Sequence, residues 1–208
     1  MNREKKSIFI TATNTDVGKT YASERFLRHY AKRGYKVGYF KPLETGVESV
    51  PLDGGKMYEL VKKLNPEFKA SIEDIVPYQF KVPAAPFVSN IHEPHITIDL
   101  ELIKKQKQYL EEFCDILIIE GAGGLMVPIT KDYFIIDLIK NLNTEAKLIT
   151  PSRLGCINDT LLSIQALKRL DIPFEWYVNL FLDKEKFEKI TLPFYEAYFG
   201  KINYLHDI

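Results

Sequence analysis

A mostly parallel α/β sheet with helices on both faces is the expected architecture of this chain, and two features lead to it. Apolar runs of strand length alternate with stretches of helical periodicity, the pattern of a sheet buried on both sides. In addition, Gly18-Lys19-Thr20 directly follows an apolar strand and opens a helix, which is the strand–loop–helix unit of a phosphate-binding P-loop. With 208 residues, 46% of them hydrophobic, the chain suits a single nucleotide-binding domain spanning residues 1–208.

The elements follow in order. Residues 7–11 form the first strand, and residues 19–32 a helix whose cationic end and following Gly34 suit its C-terminus. Residues 36–40 read as a second strand. Met57, Leu60, Val61 and Leu64 recur at i, i+3, i+4 and i+7 and mark the buried face of a second helix, with Asp53 placed to cap it and Pro66 to close it. The proline-rich stretch 75–98 reads as a long irregular excursion bordering a site, and its His92 and His95 as non-ligating. A helix over 100–113 leads into a central buried strand, 115–120, which Gly121-Ala122-Gly123-Gly124 is expected to end abruptly. Residues 146–150 read as a strand, 157–170 as a helix and 175–181 as a strand. The aromatic-rich segment 192–208 is expected to pack against the body, its secondary structure unassigned.

Charge and cysteine content narrow the function. Lys+Arg and Asp+Glu both number 28, so no broad basic face for nucleic acid is expected and small-molecule partners fit better. Cys114 and Cys156 are the two cysteines and form no CxxC pair, which argues against a disulfide framework or zinc site and for a reducing, cytoplasmic setting. The charged N-terminus precedes an apolar run too short for a signal peptide or membrane span.

In a parallel α/β sheet, ligands sit beyond the carboxyl ends of the strands. Four such ends carry polar or glycine clusters: the P-loop, Lys41-Pro42-Leu43-Glu44-Thr45-Gly46, the Glu120 glycine run, and residues 151–158. Lys19 supplies a cation for β- and γ-phosphate oxygens, and the Thr20 hydroxyl can hold Mg²⁺. Glu120 closes an apolar strand, the place of a carboxylate that meets Mg²⁺, while Asp53 reads either as a metal ligand or as a helix cap, and the two roles are compatible. Pro42 forces an extended conformation on Lys41, which directs its ammonium toward the cleft, where it can stabilise a transferring phosphoryl group. Cys156 lies far in sequence from any histidine and reads as structural rather than nucleophilic.

Placed in this order, the motifs resemble the dethiobiotin synthetases, over about residues 7–180. Thr13-Asn-Thr-Asp-Val-Gly-Lys-Thr20 is similar to that family's elongated P-loop; Thr13 stands where the standard loop has glycine, and Ala12 replaces the family's glycine six residues before Gly18. Val127-Pro128 also fits. Arg153 and Asp159 depart from the lysine and histidine common in the family. The resemblance implies that ATP, 7,8-diaminononanoate and CO₂ are joined to give dethiobiotin, ADP and phosphate, with Mg²⁺. It assigns catalysis to Lys41 and Lys19, and substrate contacts to Thr45, Thr15 and a helix start formed by Gly155, Cys156, Ile157 and Asn158. Nucleotide contacts fall to Asp16, Val17, Gly18, Lys19, Thr20, Tyr21, Glu120, Gly121, Ala122, Gly123 and Asn179. Metal ligation falls to Thr20, Asp53 and Glu120. A homodimer with the substrate at its interface is also implied. Two alternatives fit less well. Switch ATPases that position other molecules carry a lysine and two glycines where Asn14-Thr15-Asp16 stands, and amidating synthetases carry a glutaminase domain for which 208 residues leave no space.

Overall fold

The structure, a computed structural model, describes residues 5–208, and the charged residues 1–4 lie outside the described residues. In chain order the strands are β1 (Lys6–Ala12), β2 (Val37–Phe40), β3 (Leu43–Thr45), β4 (Tyr78–Phe80), β5 (Ile116–Gly124), β6 (Pro128–Thr130), β7 (Tyr133–Phe134), β8 (Glu145–Pro151) and β9 (Phe174–Asn179). The helices are α1 (Lys19–Lys32), α2 (Leu52–Leu64), α3 (Ile72–Ile75), α4 (Pro86–His92), α5 (Leu100–Glu111), α6 (Ile135–Asn141), α7 (Cys156–Arg169), α8 (Lys184–Lys186) and α9 (Leu192–Phe199).

Five parallel strands lie in the order β2-β5-β1-β8-β9, with β1 at the centre. Ile8, Phe9, Ile10 and Ala12 are completely buried, as are Leu117, Ile118 and Ile119 of β5, so these strands are apolar on both faces. The register sets Ile10 beside Glu120 and, past a shift, Ala12 beside Gly124. Strand β5 therefore runs through the glycines instead of ending at residue 120. Those residues allow close approach: a Cβ on Gly124 would lie 2.9 Å from the Thr13 carbonyl oxygen, and one on Gly121 2.8 Å from the Phe9 ring.

The stretch 75–98 is more regular than its prolines suggested. β4 pairs in parallel with β3, and Pro86 begins α4, a position where the missing N–H costs nothing because no intrahelical acceptor faces it. The backbone amide of Lys41 donates to Ile75 O at 2.9 Å, so this excursion is stitched to the end of β2. Asp53 is not the cap of α2. Pro51 holds the cap position and offers no side-chain acceptor, and Asp53 sits in the first turn.

The C-terminal segment packs as expected. α8 passes through a π-helical stretch, Phe187–Thr191, into α9, and a 3₁₀ turn, Leu205–Asp207, ends the chain. Phe187, Tyr195 and Leu205 are fully buried, and Trp176 of β9 meets the rings of Tyr195 and Phe199 with centroids 5.5 and 4.7 Å apart. Val178 also donates its amide to Asn203 O, tying this segment to β9. Among the described residues no helix is long and apolar enough to cross a membrane.

Asn65 follows α2 as a buried clasp, its side-chain amide donating to Val37 O of β2 at 3.0 Å and to Phe113 O after α5 at 2.9 Å. Truncation leaves two carbonyls without that donor. Asn65→Ala is expected to lower unfolding free energy by about 2 kcal/mol, measured by urea titration; an unchanged midpoint would show the clasp to be dispensable.

Candidate functional site

The carboxyl ends of β1, β5 and β9, together with β3 and the start of α2, surround a cavity of about 960 Å³. The loop after β1 lines it. Asp16 takes a left-handed conformation with φ 56° and Gly18 one with φ 99°, turning the chain so that α1 starts at Lys19. Ala12, by contrast, is an ordinary β-strand residue within β1 and has no positive φ, so glycine's conformational freedom is not needed there. A Cβ on Gly18 would come within 2.4 Å of the Asn179 side-chain nitrogen, which donates to Val17 O at 2.9 Å. The end of β9 is thus clamped directly onto the loop.

Glu120 is the charge centre. It is fully buried at the base of the cavity, and both its oxygens are occupied. Oε1 accepts from Lys41 Nζ at 2.8 Å and Thr20 Oγ1 at 2.9 Å, while Oε2 accepts from Ser23 Oγ at 2.7 Å and Tyr39 OH at 3.0 Å. Burial alone would raise the Glu120 carboxyl, but the Lys41 charge and the hydrogen bonds from Lys41, Ser23 and Thr20 hold it below the usual carboxylate range. Lys41 shows the reverse balance: burial opposes its charge, yet Glu120 and Asp53 keep its ammonium above the ordinary lysine value. Ser23 and Tyr39 carry no motif of their own. Their signals are positional, since Ser23 lies one helical turn beyond Thr20 and Tyr39 shares a strand face with Lys41.

Lys19 is also buried, and its ammonium donates to Asn14 O at 3.1 Å. Desolvation is the main cause that brings its pKa down to about 8, with the Lys41 charge adding to the effect and Glu120 opposing it. Two lysines therefore converge on a cavity floor that holds one buried carboxylate.

The donor set suits a small hard cation. Glu120 Oε1 and Asp53 Oδ2 both point at the Lys41 ammonium, at 2.8 and 3.2 Å, so a positive charge already stands between them, and the Thr20 hydroxyl lies on the same Glu120 oxygen. Oxygen ligands of this kind suit Mg²⁺. Glu44, which carried no role in the sequence reading, reaches from β3 to accept the amides of Asp53 at 3.0 Å and Gly54 at 2.9 Å.

The other expected residues divide into two groups. Thr15, Asp16, Gly18, Tyr21, Thr45, Gly121, Ala122, Gly123 and Asn179 line the cavity with Lys19, Thr20, Lys41, Asp53 and Glu120, whereas Val17 is packed in the core. Gly155, Cys156, Ile157 and Asn158 do not line it. They start α7 at a separate place, where Gly155 has φ 91° and Leu154 is 90% exposed. Cys156 is buried and burial raises its thiol, which removes it as a nucleophile. Arg153 and Asp159, the two departures from the expected motif, face one another at 3.4 Å.

The chain resembles known proteins along nearly its whole length. A family profile described as an AAA domain matches residues 6–188. A protein of Sulfurovum sp. named ATP-dependent dethiobiotin synthetase BioD is 49% identical over 93% of this chain and 91% of its own length. One of the same name from Wolinella succinogenes is 36% identical over 92% of this chain and 88% of its own. Among solved structures, a plasmid partition protein from Borrelia burgdorferi superposes with a TM-score of 0.59 at 14% identity, covering 97% of this chain and 88% of that one. The MinD cell division protein of Aquifex aeolicus reaches a TM-score of 0.55 at 16% identity over 96% of this chain and 80% of that one. At such identities these two show the fold alone.

Removing the Glu120 carboxylate leaves Lys41 buried with only the half-exposed Asp53. Glu120→Ala is expected to destabilise the unliganded protein by about 3–5 kcal/mol. Because Glu120 is held below the ordinary range, its contribution is present above that range and is lost as pH falls through its folded value. The variant should therefore also show a flatter loss of stability on acidification, read from thermal melts across pH; a wild-type acid profile would rule Glu120 out as its source.

Proposed function

The chain belongs to the ATP-dependent dethiobiotin synthetase family, and we propose that it closes the ureido ring of dethiobiotin from 7,8-diaminononanoate, CO₂ and ATP. The observation that carries this reading is the pairing of Lys41 with the buried Glu120 beside the P-loop lysine, inside one cavity. Two cations there can neutralise both a polyphosphate and a second anion.

One amine of the diamine adds to CO₂ and loses a proton, giving a carbamate. The carbamate oxygen then takes the γ-phosphoryl group of ATP, and ADP leaves. The second amine attacks the carbon of this mixed anhydride and gives up a proton, the C–O bond to phosphate breaks, and the ring closes as phosphate departs. Thr45 and Thr15 orient the diamine at the cavity wall, and the loop amides from Asp16 to Tyr21 receive the phosphates. Lys19 offsets charge on the β- and γ-phosphates, while Lys41 stabilises the carbamate as it accepts the phosphoryl group. Gly121, Ala122 and Gly123 contact the nucleotide from the cavity wall, and Asn179 reads its base. Thr20, Asp53 and Glu120 would hold Mg²⁺, which would supply further positive charge against the phosphates.

The exposed start of α7 supports a homodimer. Leu154 and the open space around Gly155 leave that helix start available to a second copy, whose substrate carboxylate Gly155, Cys156, Ile157 and Asn158 would receive. A cytoplasmic enzyme acting on small soluble metabolites is the corresponding setting.

Purified protein supplied with diaminononanoate, bicarbonate, ATP and Mg²⁺ is expected to form dethiobiotin, detected by mass spectrometry; ATP turnover that ignores the diamine would overturn the assignment. In the same assay Lys41→Gln is expected to keep nucleotide affinity and lose about 100-fold or more in kcat, because its contact matters most as charge moves. An unchanged kcat would remove Lys41 from the chemistry.

Lys19 supplies an independent test. Bound phosphate raises its pKa from about 8, so nucleotide binding near pH 8.5 takes up protons. Calorimetry in buffers of different ionisation enthalpy should reveal that uptake in the wild type and its loss in Lys19→Met. Equal buffer dependence in both would place another group at the phosphates.

A further inference from the structure

We propose that Glu44 is a positioning residue whose carboxylate closes the amino end of α2 and so leaves the Asp53 carboxylate free to face a cation. The proposal rests on the reading above that Asp53 is a metal ligand.

The start of α2 is weak by composition. Its cap position is Pro51, which brings no side-chain oxygen, and its first turn contains Gly54 and Gly55, among the poorest helix formers. Such a start frays unless its free amides are bound. Asp53 is the nearest carboxylate, and an acidic residue there would ordinarily turn back onto those amides. It does not. Its Oδ2 points instead to Lys41 at 3.2 Å, and its side chain remains 46% exposed toward the cavity.

Glu44 takes the capping task from outside the helix. It is buried, and its two oxygens accept from consecutive amides, Oε1 from Asp53 and Oε2 from Gly54. A carboxylate at a helix N-terminus is also favoured by the helix dipole. Two structural features make the reach possible. Strand β3 is fixed by its pairing with β4, and position 54 is a glycine: a Cβ there would stand 2.3 Å from Val76 Cγ2 and 3.1 Å from Glu44 Oε2. With the Asp53 backbone held directly by Glu44, its side chain is aimed without being consumed.

The test is Mn²⁺ binding, followed by electron paramagnetic resonance, in the full chain with a non-hydrolysable ATP analogue. Glu44→Ala should weaken Mn²⁺ binding by about 10-fold or more, as outer residues that hold metal ligands do, while analogue affinity in the presence of EDTA stays at the wild-type value. Glu44→Gln, which keeps its shape and one acceptor oxygen, should lose less, and it carries the test if the alanine variant does not fold. A variant that melts earlier but binds Mn²⁺ like the wild type would overturn the proposal and leave Glu44 a helix cap only. Asp53→Asn separates the two layers. If it binds Mn²⁺ normally, the metal reading of Asp53 falls. If it binds weakly while both Glu44 variants bind normally, the positioning role alone falls.

Discussion

The ion pair between Lys41 and Glu120 is the interaction on which the rest of the site depends. A carboxylate with no solvent exposure has lost its hydration, and one opposite charge seldom repays that loss. Here the repayment is shared: Thr20 and Ser23 of α1, Tyr39 of β2 and Lys41 just beyond it all donate to Glu120 at the middle of β5. Three elements are thereby held to one point. The gain lies less in stability than in register, since any slip of β5 against β2 would leave the carboxylate without its donors.

That point also sets what the cavity can do. Both Glu120 oxygens already accept two donors each, and Oε1 shares the Lys41 ammonium with Asp53. Lys19 sits nearby with its charge made costly by burial, so an arriving polyanion relieves a strain already present. The floor is therefore organised before any ligand binds, which is where catalysis by positioning and charge neutralisation draws its advantage.

Each departure from the expected motif has a definite place in the structure. Ala12 occupies ordinary extended backbone, and Arg153 and Asp159 meet as a part-buried pair at 3.4 Å. Glu44 matters more. It lies within the Lys41 to Gly46 segment, yet its contacts are with amides nine and ten residues further along, at the start of α2.

What could be read directly from residues was whatever is local. Apolar runs named β1 and β5, whose residues Ile8, Phe9, Ile10, Leu117, Ile118 and Ile119 are fully buried, and Gly18-Lys19-Thr20 named the loop because its chemistry is contained in adjacent residues. The prolines of 75–98 and the glycines of 121–124 misled, since both signal irregularity locally while pairing with β3 and β1 makes them regular. Ser23, Tyr39 and Glu44 could not be assigned from spacing, because what each does is decided by a partner distant in the chain. Only tertiary packing set the α7 start apart from the cavity and gave Asp53 to Lys41 instead of to its own helix, because burial, not sequence neighbourhood, determines which charges must meet.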